Sequence, residues 1–179
     1  MDKTEFEKRV LAKFEKSVYL VPSDSQAFQE IIKRLIRPFE SLKIDKVVST
    51  DMNGLLYGPI VANKLRKPFA PILKGGKVKN RKLVVEGKKF IDYSGEKKFF
   101  EAIKGSIQKN ERILYIDDWF ETGNSGKAAA DLVKKCGGKI VGISILFNQL
   151  SAKDEKHFQK HNFHSIIRRE PSNNLAEKS

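Results

Sequence analysis

The segment Ile113 to Ser125 constrains the fold of this chain more than any other. Ile113, Leu114, Tyr115 and Ile116 run straight into Asp117 and Asp118, then Trp119, Phe120, Glu121, Thr122, Gly123, Asn124 and Ser125. Four consecutive apolar residues with charged neighbours read as a buried β-strand. The stretch from Thr122 to Lys135 reads as a helix opened by a glycine-containing turn and closed by Gly137 and Gly138. A buried strand that turns directly into a helix is a βα unit. It calls for an α/β domain with a mainly parallel sheet flanked by helices.

The rest of the chain keeps that alternation. Phe6, Val10, Leu11 and Phe14 recur at helical spacing, predicting an amphipathic helix over Lys3 to Ser17. Ser23 and Gln26 form a capping box for a second helix, whose apolar face is Phe28, Ile31, Ile32, Leu35 and Ile36. Lys46 to Thr50 reads as a strand, Gly54 to Lys64 as a helix and Phe69 to Leu73 as a strand. Lys139 to Phe147 and Phe163 to Ile167 read as strands around a short helix at Lys153 to Lys160. Between Lys74 and Gly95 the signals are weak, with two β-like runs at Leu83 to Val85 and Lys89 to Tyr93. A polar segment of this kind, residues 77–97, predicts a flexible lid. The expected organisation is one domain over residues 1–170, with a helical N-terminal part (1–45) and a polar, disordered tail (171–179).

Composition narrows the function classes. A chain of 179 residues that is 40% apolar supports one core. No stretch approaches the roughly 20 apolar residues of a membrane span. Met1 to Lys16 is charged throughout, which is unlike a secretory signal. Cys136 stands alone, so no internal disulfide forms, and a reducing cytoplasm is the expected location. The net charge of +13 favours anionic partners: nucleic acid, a polyphosphate or an acidic membrane. Seven Lys or Arg against one acid, Glu86, fall between Lys74 and Lys89. His157, His161 and His164 have helix-like spacing but no cysteine nearby, and read as surface residues rather than a metal site.

The chemistry concentrates at the carboxyl end of the 113–117 strand, where open α/β sheets bind their ligands. The start of the following helix offers unpaired amides and a partial positive charge, suited to phosphate. Gly123 permits close backbone approach, and Thr122 and Ser125 supply hydroxyl donors. Two carboxylates repel phosphate, so Asp117 and Asp118 need a different partner. A ribose 2′,3′-diol supplies two donors that they can accept. As neighbours on a strand they point to different sides.

This run resembles the phosphoribosyl-pyrophosphate signature of the type I phosphoribosyltransferases: four apolar residues, two acids, two apolar residues, a small residue and Thr-Gly-Gly-Thr. Glu121 stands at the small residue and Asn124 at the second glycine, while Ser125 keeps the hydroxyl. A second stretch, Val47 to Gly58, resembles the pyrophosphate loop of the adenine-type enzymes. There Asp51, Met52, Asn53 and Gly54 occupy the places of an acid, a small residue, an arginine and a glycine. Asn53 therefore lacks the guanidinium that would grip pyrophosphate. The early Phe-Pro-x-Pro-Gly motif of the adenine enzymes is absent.

The resemblance implies a type I phosphoribosyltransferase fold with a flexible lid and a small hood. It assigns Asp117 and Asp118 to catalysis, and Glu121, Thr122, Gly123, Asn124, Ser125 and Gly126 to the 5′-phosphate. Asp51, Met52, Asn53, Gly54, Lys74 and Lys77 fall to pyrophosphate, and Asp92, Tyr93 and Glu96 to the lid. Trp119 is expected to pack between strand and hood, with stacking on the base as the alternative, and the Glu121 side chain to turn away from phosphate. Magnesium (Mg2+) is expected as a cofactor held mainly by 5-phosphoribosyl-1-pyrophosphate (PRPP), with no direct protein cage. A nucleobase, a purine first, is the second substrate, and the chain is expected to pair as a homodimer. Two functions stay open at this point. One is phosphoribosyl transfer to a base. The other is a non-catalytic PRPP-binding regulator that binds nucleic acid, to which the positive charge and Asn53 lend weight.

Overall fold

The computed structural model describes residues 1–92 and 94–171. Tyr93 and the expected tail beyond Pro171 lie outside the described residues.

Asp2 caps the first helix, α1 (Lys3–Phe14), by accepting from the Glu5 amide at 2.9 Å. A short 3-10 stretch (Val18–Ser23) leads to α2 (Ser25–Ile36). The cap of α2 is Asp24, not the expected Ser23: its carboxylate accepts from the Ala27 amide at 3.1 Å. Ser23 instead donates its hydroxyl to the Leu20 carbonyl at 2.6 Å, closing the 3-10 stretch. Asp24 also takes both Nη2 and Nε of Arg9, which fastens α1 to α2.

The strands follow as β1 (Lys46–Thr50), β2 (Phe69–Lys74), β3 (Val84–Ile91), β4 (Lys97–Ile103), β5 (Arg112–Phe120), β6 (Lys139–Asn148) and β7 (Phe163–Arg168). They form one sheet in the order β3-β4-β2-β1-β5-β6-β7. From β2 to β7 through β1, β5 and β6 every pair is parallel, while β4 joins β2 and β3 joins β4 antiparallel. The remaining helices are α3 (Gly58–Leu65), α4 (Asn124–Lys135) and α5 (Ala152–Gln159).

The interior strands are apolar on both faces because helices cover both. Leu114 and Ile116 of β5 pack with α1, α2 and α3, together with Val47 of β1. Ile113 and Tyr115 point the other way, with Val48, and pack under Ala129, Leu132 and Val133 of α4. Each such fully buried aliphatic side chain contributes about 1.5–3 kcal/mol. The alternation carries Asp117 to the Tyr115 side and Asp118 to the Ile116 side, as the strand period requires.

Two helices differ from expectation at their starts. The expected helix from Gly54 is a 3-10 turn (Asn53–Leu56) followed by α3, which opens at Gly58 with Pro59 in its first turn. At Gly58 a Cβ would sit 2.3 Å from Ser49 Oγ, so the chain lies too close to β1 for a side chain. The phosphate-loop helix begins at Asn124 rather than Thr122, because Gly123 adopts a left-handed conformation with φ of +73°.

The expected lid is largely a hairpin. β3 and β4 pair from Val84–Ile103 to Ile91–Lys97, with a register shift between Glu86 and Lys89. β4 begins with two lysines and holds the charged Glu101, which hides a strand from pattern reading. Glu101 is nevertheless fully buried. It accepts from the amides of Gly76 (3.2 Å) and Val78 (2.7 Å) and from Arg81 Nη1 (2.6 Å). Its carboxyl lies below the usual range: burial pushes it up, but the Arg81 guanidinium and the two amides outweigh that. The basic loop after β2 is therefore wrapped around one internal acid.

Candidate active site

A cleft opens at the carboxyl ends of β1, β2 and β5, walled by the β3–β4 hairpin and by Tyr19 from the N-terminal 3-10 stretch. Tyr19 is 54% exposed, so its ring overhangs the cleft rather than packing in the core.

The floor is the acid pair. Asp117 accepts from the Thr50 hydroxyl at 2.7 Å and the Tyr115 hydroxyl at 2.5 Å, and its other oxygen takes the Asp118 amide at 3.0 Å. Gly54 passes directly against it: a Cβ there would lie 2.7 Å from Asp117 Oδ1. Gly54 thus makes room for the acid and does not line the cleft. The Asn53 side chain adjoins the Asp118 carboxyl, which in turn adjoins that of Asp117. Asp118 Oδ2 is buried without a hydrogen-bond partner among the described residues.

Both carboxyls titrate high. Burial raises Asp117, against hydrogen bonds from Tyr115 and Thr50. Burial and then the charge of Asp117 push Asp118 up to about 8. Two buried acids side by side resist ionising together. The folded value lies above the unfolded one, so the stabilising contribution is complete below about pH 4 and is lost as pH rises through about 8. Asp118→Asn removes that burden. We expect its melting temperature relative to the unaltered protein to climb between pH 5 and pH 9. A pH-independent difference across thermal melts would contradict the raised value.

The phosphate loop stands opposite. The first ladder bond of α4 runs from the Lys127 amide to the Gly123 carbonyl at 2.9 Å, so the amides of Asn124 to Gly126 precede it. Thr122, Gly123 and Ser125 line the cleft, and Glu121 lies half-buried on its wall. Asn124 does not line it. Its side-chain amide donates to the Ile91 carbonyl at 3.1 Å and joins the loop to the end of β3. Gly126 is buried against Phe120, which a Cβ would meet at 2.5 Å.

Asp51, Met52 and Asn53 line the cleft at the end of β1, with Met52 53% exposed. Asp51 accepts from the Lys74 amide at 3.4 Å, which ties the ends of β1 and β2. Lys74 lines the cleft, whereas Lys77 does not; its ammonium is 4.0 Å from Asp51 on an exposed loop. Asp92 lines the cleft from the hairpin turn, and Glu96 stands behind it, paired with Lys98. Trp119 lines the cleft and meets Phe14 edge-on, with centroids 5.6 Å apart.

Thr50, Tyr115, Phe90, Lys98 and Phe100 also belong to this neighbourhood, and the sequence reading did not single them out. Tyr115 was legible only as core, and Phe90 and Phe100 reach the cleft only through the hairpin. The three histidines stay apart from the site: His161 Nδ1 lies 3.3 Å from the Ile140 carbonyl, and His164 meets Phe39.

Among the described residues no group of three or more His, Cys, Asp or Glu converges to hold a metal. Nor, among these residues, is any helix long and apolar enough to cross a membrane. The donor set present, an unpartnered buried oxygen of Asp118 beside a second acid, fits a divalent ion carried into the cleft by a polyphosphate substrate.

Comparison with known proteins adds the family. The phosphoribosyl transferase domain model matches residues 22–177. An adenine phosphoribosyltransferase of Desulfosudis oleivorans is 32% identical over 144 residues, 80% of this chain and 81% of that one. The crystal structure of adenine phosphoribosyltransferase from Thermoanaerobacter pseudethanolicus superposes with a TM-score of 0.73 at 26% identity, covering 82% of this chain and 83% of that one. The Trypanosoma brucei enzyme, solved with AMP, pyrophosphate and ribose-5-phosphate, has a TM-score of 0.77 at 20% identity over 91% of this chain and 76% of that one, a likeness of fold. With its mainly parallel sheet, its acid pair at the end of β5 and its glycine-opened phosphate loop, the chain belongs to the phosphoribosyltransferase family, in the type I, adenine-phosphoribosyltransferase-like group.

Proposed function

We propose that this protein transfers the 5-phosphoribosyl group of PRPP to a purine base, adenine first, releasing pyrophosphate and a nucleoside 5′-monophosphate. One observation carries the reading: β5 delivers Asp117 and Asp118 into the same cleft that the amino end of α4 faces. The adenine assignment draws on the names of the sequence relatives.

On this reading the 5′-phosphate rests on the amides of Asn124 to Gly126, helped by the Thr122 and Ser125 hydroxyls and the helix dipole. Asp117 and Asp118 accept the ribose 2′- and 3′-hydroxyls. Their charge favours the positive charge that grows on the sugar as the anomeric carbon–oxygen bond to pyrophosphate breaks. Magnesium bound with the diphosphate supplies neutralisation of the leaving group. The Asp51–Asn53 loop and Lys74 border the diphosphate end. A base nitrogen then forms the new bond to the anomeric carbon, and its N–H proton passes to solvent or to the departing pyrophosphate. The hairpin turn with Asp92, together with Tyr19, covers the centre and excludes the water that would hydrolyse PRPP. We further assign the working form as a homodimer in the cytoplasm.

Asn53 is the residue that tests the alternative of a binding-only regulator. Its side chain is uncharged, so it puts no cation at that place for pyrophosphate. Incubation with PRPP, magnesium and a panel of adenine, hypoxanthine, guanine, xanthine, uracil and orotate discriminates the two. We expect AMP and stoichiometric pyrophosphate with adenine, and slower or no turnover with the other bases. No turnover with any base, together with PRPP-sensitive nucleic-acid binding, would overturn the transfer reading.

A further inference from the structure

The cleft has lost one cation and gained another. Asp51, Asp92, Asp117, Asp118 and Glu121 all line it, an acidic surface for a substrate that carries a diphosphate. Asn53 brings no charge. Among the described residues the lysines lining the cleft are Lys74 and Lys98. Lys98 lies on β4, opposite Phe90 of β3. Lys74 pairs with Phe100, so Lys98 comes two residues further along the same face of β4, beyond the end of β2.

We propose that Lys98 is a substrate-binding residue that grips the diphosphate of PRPP in place of the missing arginine. The proposal rests on the transfer reading above. Its ammonium is 3.0 Å from Asp92 and 2.7 Å from Glu96, and its side chain is 32% exposed. An ammonium has three N–H donors, and these two carboxylates occupy two of them. The third is available to a phosphate oxygen without breaking either pair. The acids also fix the position of a long side chain that would otherwise lose rotamer freedom on binding. The hydrogen bonds that Lys98 donates to Glu96 and then to Asp92 raise its pKa, so the charge is present throughout the working pH range. Against the cost of its own burial, Ser94 and Lys98 hold Asp92 down to about 2. The pair is therefore ionised at neutrality, and a diphosphate meets a cation already positioned.

A purely structural Lys98 would pin the turn between β3 and β4 and do nothing else. Kinetics of Lys98→Met, Lys98→Gln and Lys98→Arg, with calorimetry of PRPP and of magnesium pyrophosphate, separate the two roles. For Met and Gln the expected result is a tenfold or larger rise in KM for PRPP and in Kd for pyrophosphate, with KM for adenine within twofold. Arginine should stay within about threefold of the original, because it keeps the charge. Equal losses toward both substrates, or pyrophosphate affinity within twofold in both neutral variants, would overturn the proposal. Failure of the unaltered protein to bind PRPP at all would instead sink the transfer reading. Two neutral variants keep the test decisive should one of them fail to fold.

Discussion

Changing Asp117→Asn and Asp118→Asn together is expected to lower kcat/KM for phosphoribosyl transfer by about 10³-fold or more, roughly 4 kcal/mol of barrier. Both acids are buried at the strand end, and asparagine fills nearly the same volume. The floor of the cleft therefore keeps its shape while its charge disappears. An amide still accepts one hydrogen bond from a ribose hydroxyl, so PRPP binding should weaken less than turnover. The partners of Asp117 make this a charge experiment. Thr50 and Tyr115 donate hydroxyls that can still find the amide oxygen. The amide nitrogen would face the Asp118 N–H that the second oxygen now accepts, so lost catalysis reports the missing negative charge where the melt shows that the floor holds. Steady-state kinetics beside a thermal melt is the measurement. Turnover within about tenfold of the original, in a folded double variant, would contradict the role given to these acids.

The second large effect is expected at Gly123. Its φ of +73° is left-handed, which costs a non-glycine residue about 1–2 kcal/mol. A Cβ would also sit 2.9 Å from Leu150 Cδ2 and 2.9 Å from Phe158 Cε2, inside a packed cluster with Phe120. Overpacking of this kind costs about 1–3 kcal/mol. Gly123→Ala should then lose roughly 2–5 kcal/mol, a large share of the roughly 5–15 kcal/mol that folds an ordinary domain. At roughly 2–4 °C per kcal/mol for a chain of this size, the melting temperature should fall by about 10 °C. The shift also moves the amides at the start of α4, so PRPP affinity should drop about tenfold or more. A melt within 2 °C and an unchanged affinity would show that the loop does not need its glycine.

Much of this site is legible in the residues themselves, and the reason is local. Ile113 to Ile116 is a continuous apolar run that two helical layers then bury, and the acids follow it by sequence alone. The turn at Gly123 announces itself because only glycine adopts that conformation freely. The α2 cap was misread by one residue because Ser23 and Asp24 are both good caps, and only the placement of Arg9 favours the aspartate. β4 escaped because its pattern depends on Glu101, whose burial makes sense only once the amides of Gly76 and Val78 and the guanidinium of Arg81 surround it. Lys98 was invisible for the same reason. It reads as one more lysine in a basic stretch until the β3–β4 pairing sets it beside Asp92 at the cleft. Local patterns thus carried the strand-to-helix chemistry. The hairpin wall is a product of long-range strand pairing, and Tyr19 reaches the cleft from a distant 3-10 stretch; no short pattern encodes either.

The placement of PRPP is most directly tested by a crystal structure of the protein soaked with PRPP and magnesium. The account predicts the 5′-phosphate on the amides between Asn124 and Gly126, and the ribose diol against Asp117 and Asp118. The diphosphate should reach toward Lys74 and Lys98. A ligand seated elsewhere, for example in the basic groove formed by Lys33, Arg34, Arg37 and His164, with the cleft at β5 left empty, would contradict it.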